Sequence, residues 1–133
     1  MADSLEQLLA RMPLFAGLPD DALELIAGCV LDRTVKAGKT VIREGNWGHE
    51  VVLVLDGTVE VRRGEAVVAT LGPGAVVGEV AVLDDSRRNA SVVAVTPTAI
   101  GAVDYGQFRA LLHEIPELAA RVDALAAERR PDA

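Results

Sequence analysis

The sequence has one cysteine, few aromatic residues and no long apolar run. The single cysteine, Cys29, excludes a disulfide within the chain and a metal site built from cysteines. One tryptophan, one tyrosine and two phenylalanines leave the core to valine, leucine, alanine and isoleucine. No stretch approaches the ~18–20 apolar residues that a membrane-spanning helix needs, and the start "MADSLEQLL" is unlike a secretory signal. These absences predict a cytoplasmic protein.

Positive charge is also scarce. Thirteen lysines and arginines face 20 aspartates and glutamates, for a formal net charge of −7 at pH 7. Such a chain has no broad positive field to attract nucleic acid or an anionic membrane surface, so neither is predicted as a partner. Any anion site must therefore be local. The length of 133 residues fits one domain, residues 1–133.

Two zones of the chain have the spacing of amphipathic helices. In residues 1–30, Ser4 is a candidate N-cap for the first of two helices. In residues 105–128, Pro116 restarts the helix at its first turn. The polar tail "ERRPDA" is expected to fray. The buried stripe of the last helix is predicted to be Leu118, Val122 and Leu125.

Between these zones, residues 31–104 contain around eight short valine-rich runs separated by glycines. Short strands at regular spacing, with glycine at the turns, are typical of an antiparallel sandwich or barrel of the jelly-roll type. The predicted fold class is therefore α+β. It is mainly an antiparallel β jelly-roll barrel, flanked by N-terminal helices and C-terminal helices.

One segment, "GEVAVLDDSRRNASV" at residues 78–92, interrupts the strand pattern. It has room for one or two helical turns, and Gly78 lets the N–H groups at their start point outward without a Cβ in the way. The unpaired N–H groups of a first helical turn attract anions, and Arg87 and Arg88 return the chain towards the same point. A helix start and an arginine together suit a phosphate. Glu79 would repel a phosphate and is better suited to a sugar hydroxyl, so the segment predicts a nucleotide site.

Residues 77–92 resemble the phosphate-binding cassette of cyclic nucleotide-binding domains, of the type found in catabolite activator proteins and protein kinase A regulatory subunits. The family pattern runs "FGELALL", then a short variable stretch, then "PRAATV". The resemblance extends over nearly the whole chain. The run "MPLFAGLPDDALELIA" is similar to the family's N-terminal helical motif, and "VKAGKTVIREGNWGHEVVLVLDGTVEV" is similar to its early strands.

The resemblance implies a role for each matching residue. Glu79 matches the glutamate that binds the ribose 2′-hydroxyl, and Arg88 matches the arginine that binds the cyclic phosphate. Gly78 and Ala81 match positions whose backbone N–H groups meet ribose and phosphate. Asn89 matches a position that helps set the purine preference, often Ala or Ser for cAMP and Thr for cGMP. The predicted ligand-binding residues are Gly78, Glu79, Val80, Ala81, Arg88, Asn89 and Ala90.

The chain also departs from the family pattern. Val77 stands in place of the usual Phe, and Asn89 fits neither purine preference. Arg87 stands where the family usually has proline, which adds a second positive charge that could pair with Asp84 or Asp85. The weaker ligand-binding candidates are Arg87 and, from strand parity alone, Val61 and Val68 as apolar contacts for the base.

Other kinds of site have less support. His49 beside Glu50 would need further histidines for a metal site on a jelly roll, and the only other one, His113, lies on a distant helix. No metal and no cofactor are therefore predicted. The chain shows no nucleophile–base pair and no Gly-rich triphosphate loop, so an enzyme is not predicted. Trp47, in a predicted loop, is either a partner contact or a cover for the barrel end.

The resemblance implies a regulatory or sensor domain that binds a cyclic nucleotide, with cAMP preferred and cGMP second. Ligand phosphate would draw the cassette inward, and the C-terminal lid helices, hinged near "HEIPE", would cover the base. The chain ends soon after the last helix, so we expect no helix-turn-helix, and an output through a protein effector or a homodimer formed by the C-terminal helix. Two alternatives stay open. One is an interaction or dimerisation module that keeps the fold without a ligand, and the other is the receptor fragment of a larger effector protein.

Overall fold

The structure is a computed structural model that describes residues 4–130. The helices are α1 (Leu5–Arg11), α2 (Asp20–Ala27), α3 (Glu79–Asp84), α4 (Tyr105–Glu114) and α5 (Pro116–Arg129). The strands are β1 (Val30–Val35), β2 (Thr40–Ile42), β3 (Glu50–Asp56), β4 (Val59–Arg63), β5 (Ala66–Leu71), β6 (Val76–Val77), β7 (Ser91–Ala94) and β8 (Thr98–Asp104). The strands therefore lie between two helical pairs, and the short helix α3 is inserted between β6 and β7.

Within residues 4–130, the eight strands form two four-stranded sheets. One sheet has the order β1-β8-β3-β6, and the other has the order β2-β7-β4-β5. Neighbouring strands in both sheets pair antiparallel. The predicted α+β jelly roll of about eight strands, with helices at both ends, is confirmed.

Strand β3 is buried on both faces because the first sheet lies between the second sheet and the helices. Val51 and Leu53 pack in the cluster that the helices share, with Phe108 and Leu118. The alternate residues of β3 pack in the cluster between the two sheets. This middle position explains why "VVLVL" is apolar throughout, whereas a half-buried strand alternates apolar and polar residues.

The helices begin where the sequence predicts. The Ser4 side chain accepts a hydrogen bond from the Gln7 backbone N–H in a capping box, and Pro116 is at the first turn of α5. The predicted buried stripe of α5 needs one correction. Leu118 and Val122 are fully buried, but Leu125 is only partly buried, and Ala126 takes the third buried position. Positions i, i+4 and i+8 stay on one helix face here.

The expected fraying of the tail is also corrected as far as the structure describes it. Arg129 belongs to α5, Arg130 caps it, and both side chains form ion pairs. The last three residues of the "ERRPDA" tail lie outside the described residues. Within residues 4–130, no helix combines the length and apolar character needed to cross a membrane.

Replacing Leu118 by alanine tests the packing of α5 in the core cluster that the helices share. This side chain is 0% exposed, so Leu118→Ala should lower the free energy of unfolding by about 2–5 kcal/mol through lost burial and a cavity. The matched control is Leu25→Ala in α2, whose side chain is 46% exposed and whose loss should cost less than about 1 kcal/mol. Urea unfolding followed by circular dichroism measures both, and equal losses would contradict the assigned core.

Candidate functional site

The break in the strand pattern is the short helix α3, which has six residues. Gly78 enters α3 at φ +93°, a left-handed conformation that favours glycine. The helix ends at Asp84, its C-cap Asp85 has φ +50°, and the chain then returns to β7 at Ser91. No side chain of the described residues caps the start of α3. Its first N–H groups therefore have no intrahelical acceptor and no side-chain acceptor there.

Arg88 lies beneath this turn as a buried cation. Only 9% of its surface is exposed. Its Nη1 donates to the Gly78 carbonyl at 3.1 Å, and its Nη2 donates to the Glu50 carbonyl at 2.6 Å. Within residues 4–130, it forms no ion pair with a carboxylate. A guanidinium has five N–H donors, so donors remain for an anion in the cavity.

Burial and nearby negative groups shift the pKa of Arg88 in opposite directions. Burial lowers the pKa of the guanidinium from its usual range, and negative groups nearby, Glu50 first, oppose that shift. An arginine in a protein stays charged at neutral pH in spite of such a shift. A buried charge is costly unless it is paired, so this position favours a bound anion.

Two glycines make room for the guanidinium. A Cβ at Gly48 would lie 2.6 Å from Arg88 Cζ, and a Cβ at Gly78 would lie 2.5 Å from Arg88 Nη1. Both distances are far below van der Waals contact, so any larger residue would displace Arg88. The cassette resemblance pointed to Gly78, whereas Gly48 was missed. Its only signal is a glycine in "NWGHE", a long way from the cassette in sequence.

Glu79, the first residue of α3, is buried beside Arg88 and is ion-paired. It is 1% exposed, and its Oε1 and Oε2 accept hydrogen bonds from Arg129 Nη1 at 2.9 and 3.1 Å. The same Nη1 donates to the Val76 carbonyl. Arg129 was missed at the level of sequence, because a polar tail carries no sign that it folds back onto the cassette.

The last residue of α3 is held by the next arginine. Arg130 donates from Nε to Asp84 Oδ2 at 2.9 Å and from Nη2 to Oδ1 at 2.7 Å. This hydrogen bond lowers the pKa of the Asp84 carboxyl from its ordinary value, and burial opposes it. It also raises the pKa of the Arg130 guanidinium. The cassette is thus tied to α5 at two points.

Helix α4 supports α3 from the opposite side. The Tyr105 hydroxyl shares its proton between the carbonyl oxygens of Ala81, at 2.7 Å, and Val82, at 2.8 Å. Arg109 Nη2 donates to the Val82 carbonyl at 2.8 Å and stacks 4.9 Å from the centre of the Tyr105 ring. The Ala81 carbonyl also accepts from the backbone N–H groups of Asp85 and Ser86, whereas Val82 is one of the last residues of α3, whose carbonyls need donors from outside the helix. Tyr105 and Arg109 are further residues that the sequence did not reveal.

Arg88, Glu79 and Arg129 line a cavity of about 450 Å³, a size typical of small-molecule sites. All seven principal predicted residues line it, as do the weaker candidates Val61 and Val68. The remaining lining residues are Ile42, Arg63, Ala69, Leu71, Val77, Val92, Glu128, Arg129 and Arg130. The cavity therefore combines a deep cation, a buried carboxylate, an aliphatic wall from β4 and β5, and an arginine-rich rim.

Arg87 lies outside this cavity. It donates from Nη1 to the Gly45 carbonyl at 3.0 Å, and its guanidinium stacks 5.0 Å from the centre of the Trp47 ring. The suggested pairing with Asp84 or Asp85 is therefore corrected, because Asp84 pairs with Arg130 instead. The structure thus separates Arg87 from the other candidate residues and explains Trp47 as its stacking partner.

The chemistry of the cavity suits binding. The lining offers a cation for an anion, a carboxylate for a hydroxyl, and valines for a flat apolar surface. A ligand that carries an anion, a hydroxyl and a flat apolar surface on one framework would complement Arg88, Glu79 and the valines together.

Comparisons with known proteins identify relatives of the chain. The sequence model of the cyclic nucleotide-binding domain matches residues 32–114. The cyclic AMP receptor protein of Thermus thermophilus is 34% identical over 126 residues, which cover 91% of this chain and 58% of that protein. A cyclic nucleotide-gated potassium channel of Mesorhizobium japonicum is 36% identical over 124 residues, which cover 93% of this chain and 34% of the channel.

The fold comparison agrees with the sequence comparison. The crystal structure of the catabolite activator protein of Thermus thermophilus matches with a TM-score of 0.80 at 34% identity. The match covers 88% of this chain and 57% of that one. The chain therefore spans less than two thirds of the length of each of these relatives.

The pairing of Arg130 with Asp84 can be measured by titration. We expect the Asp84 pKa to lie below the value of about 3.9 that an unpaired aspartate has, and Arg130→Gln should return it towards that value. Because the folded-state pKa is depressed, the pair stabilises the fold above the unfolded pKa, and this contribution is lost as the pH falls through the folded pKa. Carboxyl ¹³C NMR measures the shift. Arg129→Gln is the matched control, and it should leave the Asp84 pKa unchanged; an ordinary pKa in the unsubstituted chain would contradict the assignment.

Proposed function

The chain belongs to the cyclic nucleotide-binding domain family, and on that premise we propose that its cavity binds a cyclic nucleotide, with cAMP as the first candidate and cGMP as the second. One observation carries the proposal. A buried guanidinium without a described carboxylate partner, Arg88, lies in the same cavity as a buried carboxylate, Glu79. A cyclic nucleotide carries one anionic phosphate and one free ribose hydroxyl on a rigid ring system, and so supplies one partner for each.

In the proposed complex, the cyclic phosphate lies between Arg88 and the first turn of α3. Gly78, Val80 and Ala81 contribute backbone N–H groups, which have no side-chain cap to compete with the phosphate. The 2′-hydroxyl of the ribose donates to Glu79. Ala90 and the neighbouring residues of the cassette form the wall behind the phosphate.

The base would lie against the aliphatic wall of β4 and β5, which includes Val61 and Val68. Asn89 lies near the rim, where its Nδ2 donates to the Arg129 carbonyl at 3.4 Å. A side-chain amide can both donate and accept hydrogen bonds, so Asn89 can meet either the amino group of adenine or the carbonyl of guanine. The preference between cAMP and cGMP is therefore measured by comparing the affinities for the two nucleotides.

The C-terminal helix would respond to the ligand because it forms part of the cavity. Glu128, Arg129 and Arg130 line the rim, and the break at Ile115 separates α5 from α4. A ligand shifts a conformational equilibrium only by binding one form better than the other. Direct contact with the end of α5 supplies that difference. We propose that the output is a protein effector or a homodimer reached through this helix.

The proposal is tested by calorimetric titration with cAMP, cGMP and 2′-deoxy-cAMP. We expect at least one of the first two to bind with a Kd well below 1 mM, and 2′-deoxy-cAMP to bind about tenfold more weakly than cAMP because it lacks the hydroxyl for Glu79. The ratio of the cAMP and cGMP affinities gives the base preference. If both bind no better than about 1 mM, the chain is not a cyclic nucleotide receptor.

The two neighbouring arginines provide a matched pair of variants. Arg88→Ala should weaken binding by about 2–5 kcal/mol, because it removes a desolvated partner of the phosphate. Arg87→Ala removes the same charge from the outside of the cavity and should change binding by less than about 0.5 kcal/mol. Calorimetry with the preferred nucleotide measures both. A larger loss for Arg87→Ala would place the phosphate on the other arginine.

A further inference from the structure

Arg129, in the last turn of α5, supplies the positive charge that pairs with the buried Glu79 carboxylate. The Glu79 side chain is 1% exposed, whereas the Arg129 side chain is 31% exposed. Within residues 4–130, Arg129 is the cation that forms an ion pair with this carboxylate. Arg88 lies close enough to interact electrostatically with Glu79, but its bonds go to backbone carbonyls. A buried carboxylate without a paired cation is strongly destabilising.

The geometry of the pair leaves Glu79 able to accept another hydrogen bond. One nitrogen, Arg129 Nη1, contacts both carboxylate oxygens, at 2.9 and 3.1 Å. An ionised carboxylate has about four acceptor positions, so each oxygen keeps one more. Arg129 therefore fixes the orientation of the carboxylate while it leaves an acceptor free for a hydroxyl.

The guanidinium of Arg129 is itself held in place. It also donates to the Val76 carbonyl at the end of the first sheet. The next residue, Arg130, forms a bidentate pair with Asp84 at the opposite end of α3. The carbonyl of Arg129 lies 3.4 Å from both Asn89 Nδ2 and Arg63 Nη2. These contacts join the end of α5 to the strand before α3, to α3 itself and to the loop after it.

We propose that Arg129 is a positioning residue for the nucleotide site, which orients the Glu79 carboxylate towards the ribose 2′-hydroxyl. This inference rests on the proposed function and extends it, because recognition of the sugar then requires the end of α5 to be docked. The chain discriminates a ribonucleotide from its 2′-deoxy analogue through a residue that does not touch the hydroxyl. Arg130 fastens the same turn of α5 to Asp84 and does not contact Glu79.

The test compares two ligands in one variant. In the unsubstituted chain, cAMP should bind about tenfold more tightly than 2′-deoxy-cAMP. In Arg129→Gln, this ratio should fall below about threefold, mainly because cAMP binds more weakly while 2′-deoxy-cAMP changes little. A purely structural role would weaken both ligands equally and keep the ratio. Arg129→Lys keeps the charge and should recover part of the ratio.

Arg130→Gln is the matched control, since it removes one guanidinium from the same turn. It should weaken both nucleotides by a similar factor and preserve their ratio. A ligand-free readout comes from a double-mutant cycle of Glu79→Gln and Arg129→Gln in urea unfolding. The unfolding equilibrium constant of the double variant should differ by at least about threefold from the value obtained by multiplying the effects of the two single substitutions, because the groups interact directly.

If the unsubstituted chain binds neither cAMP nor cGMP, the proposed function fails, and this inference fails with it. If the chain binds cAMP but Arg129→Gln keeps the tenfold ratio, or the unfolding cycle shows no coupling, this inference alone is wrong. If Arg129→Gln binds cAMP more tightly than the unsubstituted chain, Arg129 is a competitor of the ribose and the inference is also overturned.

Discussion

The buried guanidinium of Arg88 is the constraint on which the rest of the site depends. A cation that is 9% exposed needs groups that replace its hydration, and the carbonyls of Gly78 and Glu50 do so from two directions. The same requirement explains why Gly48 and Gly78 carry no side chain, since a Cβ at either would overlap the guanidinium. The start of β3, the loop before it and the entrance to α3 are thus joined through a single residue.

Arg87 has a different role because it lies in an extended segment next to Arg88. Consecutive side chains of an extended segment point to opposite sides, so Arg87 points away from the cavity when Arg88 points into it. There it pairs with Trp47, both through a β-bridge and through stacking of the guanidinium on the ring. The two arginines of this basic dipeptide therefore differ: Arg88 lines the cavity, and Arg87 fastens a loop through Trp47.

Local patterns predicted the strands and the short helix, because each depends on residues close together in sequence, whereas the cassette was predicted through its resemblance to a known family. Valine-rich runs, glycines at turns and Pro116 act on their immediate neighbours. The partners of the cassette could not be predicted in this way. Glu79 and Arg129 are 50 residues apart in sequence, and Asp84 and Arg130 are 46 apart. A polar tail looks the same whether it is solvated or folded back, and only the path of α5 distinguishes the two.

The burial of β3 has a consequence for how the cavity meets a ligand. This strand is covered on both faces and hydrogen-bonded to β8 and β6 along its two edges. Separating β3 from these neighbours therefore requires disruption of most of the core. The floor of the cavity is attached to it through Val77 on β6. The rim formed by α5 is held by side-chain pairs. Recognition therefore divides into a preorganised floor, which loses little conformational entropy, and an adaptable rim, where the ordering cost is concentrated in a few side chains.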